Sequence, residues 1–216
     1  MIQGVLFDLD GTLADTERLH WRAYGQVLEE FGVRIGLDEY RREFIAKGGG
    51  PEYACRTYRL PISPDELRAR KVAPYHALIA AHVDPLPGAV EALRRLRDGY
   101  RLAVATNSSR DEATLILRHL GAEGLLHALV PREAYGKPKP APDAYLTAAA
   151  AVGRSPAECV VVEDTPRGLA SGLAAGMRAI AVPSDLTADA DFTGATRRIA
   201  SLYELTPALL AELDGG

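Results

Sequence analysis

Five short apolar runs punctuate the chain: Gly4–Phe7, Leu102–Ala105, Leu126–Val130, Cys159–Val162 and Ala179–Val182. None alternates between apolar and polar residues, as a strand with one wet face would. Runs that are apolar on both faces fit a parallel sheet covered on both sides by helices. Helical stretches separate them. Ala89–Arg97 lies between Pro87-Gly88 and Asp98-Gly99. Ser109 stands three residues before Glu112, a capping box, and LILRHL follows. Pro142 suits the first turn of a helix that runs through DAYLTAAAAV to Gly153, and Thr165-Pro166 opens another that ends near Gly176. This alternation predicts an α/β fold, an open, Rossmann-like parallel sheet of right-handed crossovers. The tail after Asp185 reads as one more strand near Arg198–Ala200 and a terminal helix.

Residues 15 to 81 break the rhythm and offer helices alone. His20, Tyr24, Val27, Leu28 and Phe31 share one helical face, and Gly32 can stop that helix. Ser63-Pro64-Asp65-Glu66 combines a cap, a first-turn proline and a capping glutamate. The pattern continues to Ala80, with Pro74 expected to kink or divide it. A small helical domain is therefore expected at 15–83, inserted into an α/β core made of 1–14 and 84–216. The link Val83-Asp84-Pro85-Leu86-Pro87-Gly88 would be stiffened by its prolines.

Composition changes this picture little. A chain of 216 residues, 47% hydrophobic, supports a sizeable core. Its 25 basic and 29 acidic residues are dispersed, giving a formal charge of −4 and no nucleic-acid tail. Arg94, Arg95 and Arg97 read as the solvent face of a helix. Cys55 and Cys159 are far apart and have no zinc spacing. No signal peptide or membrane span is apparent, so a cytoplasmic location with no membrane partner is the expectation.

The chemistry lies where the strands end. In open α/β sheets, sites form beyond the carboxyl ends of strands. Strand one ends in Asp8 and Asp10, followed at once by Gly11 and Thr12; strand two ends in Thr106, Asn107 and Ser108; the fourth ends in Glu163 and Asp164. Lys137 and Lys139 stand in the proline-rich GKPKPAPD loop after the third run. Each group alone has an ordinary reading as a turn, a cap or an exposed loop. Together, at the ends of one sheet, they give carboxylates suited to Mg²⁺ and donors suited to phosphoryl oxygens. A carboxylate such as Asp8 can also attack phosphorus, while Asp10 protonates the leaving group and then deprotonates water.

Four stretches in order carry a resemblance: Asp8-Leu9-Asp10-Gly11-Thr12-Leu13, Thr106-Asn107-Ser108, Lys139-Pro140-Ala141-Pro142-Asp143 and Glu163-Asp164-Thr165. The chain resembles the haloacid dehalogenase-like hydrolases, in the branch that holds β-phosphoglucomutase, phosphoglycolate phosphatase and small sugar-phosphate phosphatases. That resemblance spans nearly the whole chain and includes a helical cap after the first motif. It implies Asp8 as nucleophile and Asp10 as general acid/base. Mg²⁺ would be held by the Asp8 carboxylate, the Asp10 main-chain carbonyl and the Asp164 carboxylate. Thr106, the Asn107 backbone N–H and Lys139 would bind the phosphoryl group. The motif frame favours Lys139 over Lys137, and Glu163 would support Lys139 or a metal-bound water.

The implied function is a Mg²⁺-dependent phosphatase acting on a small phosphorylated metabolite: a sugar phosphate, phosphoglycolate or a polyol phosphate. A cap that opens and closes near Ala14–Glu17 and His82–Pro87 would disfavour bulky substrates, and a monomer is expected. In the cap, His20 either helps to position Asp10 or the closed cap, or packs on its helix face. Lys47, before Gly48-Gly49-Gly50, either contacts substrate from a flexible loop or is solvated. Lys71 matches a position that faces substrate in some relatives. Two other readings stand beside hydrolysis. A sugar phosphomutase of the β-phosphoglucomutase kind would carry an arginine near Pro51, and none stands there. A catalytically silent binding or regulatory protein would show damage in a motif, and none is visible.

Overall fold

The computed structural model describes residues 1–214; Gly215 and Gly216, which the sequence reading includes in the core, lie outside the described residues. In chain order, β1 (Gly4–Phe7) is followed by α1 (Glu17–Glu29), α2 (Leu37–Tyr40), α3 (Gly50–Thr57) and α4 (Pro64–Ala81). Then come α5 (Ala89–Leu96), β2 (Arg101–Ala105), α6 (Arg110–His119), β3 (Ala128–Val130), α7 (Asp143–Ala151) and β4 (Cys159–Glu163). The chain ends with α8 (Pro166–Ala174), β5 (Arg178–Ala181), β6 (Arg197–Arg198) and α9 (Pro207–Asp214). Two compact units result, Met1–Asp15 with Val83–Gly216 and Thr16–His82. Among the described residues, no helix is long and apolar enough to cross a membrane.

The first unit is built on a six-stranded sheet in the order β3-β2-β1-β4-β5-β6. Every neighbouring pair is parallel. Strand order runs one way from β1 to β3 and the other way from β4 to β6. The crevice between β1 and β4 is therefore the point at which ligands bind in sheets of this kind. Phe7 pairs with Val104 on one side and Val162 on the other, so the residues that follow β1, β2 and β4 emerge at one level. Burial explains why these runs are strands: Val5, Leu6, Phe7, Val160, Val161 and Val162 are all fully enclosed. Each side chain of this size gains about 1.5–3 kcal/mol from leaving water.

Local signals set the helix starts. Ser109 and Glu112 form a reciprocal capping box on α6. The Thr165 hydroxyl accepts from the Gly168 N–H at the start of α8, where Pro166 occupies the first turn. The third strand is shorter than its apolar run. Glu123–Leu125 form a 3₁₀ turn, and His127 pairs with Leu102 through both its N–H and its Nδ1. That leaves Leu126 outside the ladder.

In the second unit α4 passes through Pro74 without being divided, so of the two expected outcomes, a kink or a division, division does not occur. A proline inside a helix removes one backbone hydrogen bond, at a cost of about 3 kcal/mol. Leu67, Lys71, Tyr75 and Ile79 lie four residues apart and are all buried, so packing of this stripe holds the helix together across the gap. The glycine run is also more ordered than a flexible loop. Gly49 N–H donates to the Glu43 carbonyl and Gly50 is the first residue of α3.

Candidate active site

The carboxyl ends of β1 and β4 bring three buried carboxylates together. One oxygen each from Asp8, Glu163 and Asp164 lie within 4.8 Å of one another. Into this cluster reaches a single buried cation. Lys139 Nζ lies 2.5 Å from Asp8 Oδ1, 2.7 Å from Glu163 Oε1, 2.9 Å from the Ala105 carbonyl and 2.9 Å from the Tyr145 hydroxyl. Lys139 is 4% exposed. Lys137, by contrast, is exposed, and only its backbone N–H is tied down, donating to Asp143 Oδ1.

The loop that delivers Lys139 is pinned from α8. The Arg167 guanidinium donates to the Lys139 carbonyl at 2.8 Å, and the Ser171 hydroxyl to the Ala141 carbonyl at 2.6 Å. Glycines let the backbones close in. Gly11 has φ +79°, and a Cβ there would collide with the Asp164 carboxylate. A Cβ on Gly168 would overlap the Glu163 carboxyl group. Only glycine admits both approaches.

Asp10 sits beside the end of β2. Its Oδ2 accepts from the Ser108 hydroxyl at 2.6 Å and from the Thr106 hydroxyl at 3.2 Å. Asn107 Oδ1 and the Thr106 carbonyl both lie within hydrogen-bond reach of the Tyr135 hydroxyl, at 2.7 and 2.8 Å. The Thr12 hydroxyl donates to Asp164 Oδ1 at 3.1 Å, which ties the first motif to the last.

Electrostatics follow from burial. Burial pushes the Asp8 pKa well above the usual carboxylate range, opposed by Lys139 and reinforced by Glu163 and Asp10. Burial also disfavours the Lys139 ammonium, but Asp8 and Glu163 outweigh it and raise its pKa. Burial and Glu163 push the Tyr145 phenol upward, so it keeps its proton and donates to Glu163 Oε1 at 2.6 Å. Three carboxylates against one ammonium leave a surplus of acidic groups in a buried crevice. A hard divalent cation fits that donor set, because buried charges of one sign persist only when they are paired or coordinate a metal.

The remaining sequence-predicted residues belong to the second unit. The His20 ring stacks on Tyr75 with centroids 4.0 Å apart. Lys71 is buried, with Nζ 3.9 Å from the centre of the Tyr75 ring and 5.8 Å from that of Tyr24. Lys47 is exposed and pairs with Glu43 at 3.0 Å. Sequence reasoning missed Tyr145, Tyr135 and Arg167. Tyr145 carried a usable signal: it shares the buried face of α7 with Ala144, Ala148 and Ala149, and a buried phenol needs a partner.

Residues 5–182 match the family model described as haloacid dehalogenase-like hydrolase. The chain is 32% identical to fructose-1-phosphate phosphatase YqaB of Escherichia coli, over 83% of this chain and 95% of that protein. It is 33% identical to beta-phosphoglucomutase of Bacillus subtilis, over 84% of this chain and 83% of that one. A mutant of CbbY from Rhodobacter sphaeroides, solved in complex with xylulose-(1,5)bisphosphate, superposes with a TM-score of 0.82 at 31% identity. That match covers 95% of this chain and 96% of CbbY.

Proposed function

The chain belongs to the haloacid dehalogenase-like hydrolases, and from that premise we propose that it is a Mg²⁺-dependent phosphatase of small phosphomonoesters working through an aspartyl-phosphate on Asp8. One observation carries the reading: a buried ammonium, Lys139, bridges Asp8 and Glu163 at the crevice between β1 and β4, with Asp164 in the same cluster. The substrate class is a sugar phosphate, phosphoglycolate or a polyol phosphate.

The chemistry takes two displacements. An oxygen of the Asp8 carboxylate attacks phosphorus, the bond from phosphorus to the ester oxygen breaks, and the departing alkoxide takes a proton from Asp10. Asp10, now a carboxylate, takes a proton from water. The water oxygen attacks phosphorus, the bond to Asp8 breaks, and inorganic phosphate leaves. A carboxylate nucleophile needs no base to activate it, and its two oxygens allow one to hold Lys139 while the other reacts. The Ser108 and Thr106 hydroxyls hold the Asp10 carboxyl, and the Thr106 hydroxyl would turn to a phosphoryl oxygen when substrate binds. Asp8, Asp164 and the Asp10 main-chain carbonyl would hold Mg²⁺. When bound, the ion offsets the charge on the phosphoryl oxygens.

Sequence similarity to beta-phosphoglucomutase makes phosphomutase the second reading. Pro51 stands in the first turn of α3 and Arg56 in its last, so no guanidinium stands at position 51 to hold a second phosphate. The test is phosphate release from a panel of small phosphoesters with Mg²⁺, including xylulose-1,5-bisphosphate, fructose 1-phosphate and β-glucose 1-phosphate. An Asp8→Asn control runs beside it, and isomerised sugar phosphate is assayed with a trace of sugar bisphosphate present. Phosphate release lost in D8N supports hydrolysis. Isomer forming much faster than phosphate overturns it in favour of transfer.

A further inference from the structure

Two hydroxyls from one short segment converge on a single oxygen of Asp10. The Ser108 hydroxyl donates to Asp10 Oδ2 at 2.6 Å, and the Thr106 hydroxyl to the same atom at 3.2 Å. The segment is fixed by its own backbone. The Ser108 N–H donates to Thr106 Oγ1 at 3.0 Å, and the Ser108 carbonyl accepts from the Arg132 N–H at 2.9 Å. Ser108 is 8% exposed, so water competes little for its hydroxyl. The two donors then part company. In the proposed reaction the Thr106 hydroxyl turns to a phosphoryl oxygen. The Ser108 hydroxyl, which makes the shorter of the two bonds, has no part in that reaction beyond its hold on Asp10.

We infer that Ser108 is a positioning residue for the general acid/base, and that its hold on Asp10 suits the site to phosphate esters of weakly acidic alcohols. The inference rests on the reading of Asp10 as acid/base and deepens it to a leaving-group class. A carboxyl group one hydrogen bond from Thr106 lies beside the phosphoryl group that Thr106 contacts. Ser108 keeps it there by Oδ2, and Oδ1 carries the transferable proton. In the first displacement that proton passes to the ester oxygen as its bond to phosphorus breaks. In the second, Oδ1 takes a proton from water as the water oxygen attacks and the bond from phosphorus to Asp8 breaks. Ser108 keeps its own proton throughout. An alcohol that is a poor anion needs the proton as it departs; a leaving group that departs readily as an anion does not. The ordinary alternative is that the Ser108 hydroxyl only completes the turn after β2.

The dependence of rate on leaving group separates these. Wild type, Ser108→Ala, Asp10→Asn and the double variant are assayed with Mg²⁺ on p-nitrophenyl, phenyl and benzyl phosphate, whose leaving groups run from acidic to weakly acidic. The quantity read is kcat/KM, which reports the barrier from free enzyme and substrate through departure of the alcohol. General acid catalysis is worth about 10²–10⁴-fold and a misplaced group forfeits up to about 100-fold, so S108A should lose roughly 10- to 100-fold on benzyl phosphate and much less on p-nitrophenyl phosphate. Adding S108A to D10N should steepen the dependence no further. A ratio between substrates does not change with the fraction of folded enzyme, so partial misfolding cannot imitate the result. If S108A does not fold, Ser108→Gly removes the same hydroxyl and is held to the same ratio.

A second readout isolates the other half of the cycle. Acetyl phosphate has a leaving group that needs no acid, so it loads the enzyme without help from Asp10. Decay of the phosphoryl adduct after a chase should be slower in S108A than in wild type, because the base that activates water is no longer held. An equal loss on all three esters, or a gain on any of them, overturns the inference: the first marks a structural role, the second a hydroxyl that withholds the acid. A steep dependence in D10N with a wild-type dependence in S108A overturns the inference alone and leaves Asp10 as acid/base. A wild-type dependence in D10N removes Asp10 from that role, and Ser108 with it.

Discussion

The two units differ in how densely they bury charge. In the helical unit, ion pairs sit on the surface: Arg70 with Glu66 and Glu30, Arg68 with Asp65 and Glu52. Its interior is mainly aromatic, with Tyr24, Tyr40 and Phe44 in contact, His20 stacked on Tyr75, and only Lys71 and Glu43 as buried charged side chains among the described residues. The sheet unit has surface pairs too, such as Arg197 with Glu212, but it also gathers four charged side chains inside. Asp8, Lys139, Glu163 and Asp164 are all buried where the apolar runs of β1 and β4 end. Exposed pairs contribute little, because water competes for both partners. Buried ones are expensive to assemble and are retained where an electrostatic task requires them. The denser cluster of buried charge, and with it the proposed chemistry, lies in the sheet unit.

Breaking the charge in each unit should therefore have unequal effects. The largest is expected for Lys139→Met, which leaves Asp8 and Glu163 without their buried counterion. Loss of a group that stabilises transition-state charge costs about 10²–10³ in kcat, and the assay is phosphate release with Mg²⁺. A loss below tenfold would remove Lys139 from the centre of the account. Next is Gly11→Ala, which forces a Cβ into the Asp164 carboxylate at a backbone conformation that side chains rarely adopt. A strained left-handed residue costs about 1–3 kcal/mol, so calorimetry should show a lower midpoint, together with weaker Mg²⁺ activation.

A smaller effect, of opposite sign, is expected for Asp8→Asn. The folded pKa of Asp8 is raised above its unfolded value, chiefly by burial. Its contribution to stability is full below the unfolded pKa and is lost as pH rises through the folded pKa. At pH 7 without divalent cation, Asn should therefore raise the thermal midpoint. The gain should shrink as pH falls toward 4. A midpoint below wild type at pH 7 would show that Lys139 more than offsets the burial of Asp8. The smallest effect is expected for Arg68→Ala on the helical unit. Its pairs are exposed, and the midpoint should move by less than about 2 °C.

Much of this arrangement is legible in the chain. Asp8, Asp10, Thr106, Glu163 and Asp164 are polar residues that interrupt apolar runs, and the parallel sheet aligns their ends. The α/β rhythm and its helical interruption follow from the spacing of those runs. What escaped were contacts set by tertiary packing. Tyr145 belongs by pattern to an alanine-rich helix, and nothing local says that its hydroxyl meets Lys139. Tyr135 lies in a loop without periodicity, and its bonds to Thr106 and Asn107 join segments 28 and 29 residues apart. Pro74 does not divide α4 for the same reason: the buried stripe on that helix outweighs a local rule.

The central claim is that Asp8 is the phosphorylated residue. The most direct measurement is rapid quench of wild type and D8N with acetyl phosphate and Mg²⁺, followed by mass spectrometry of the peptide that contains Asp8. The account predicts a transient phosphoryl adduct on Asp8 in wild type, sensitive to hydroxylamine and absent in D8N. Turnover with no adduct at any time, or an adduct that persists in D8N, would contradict it.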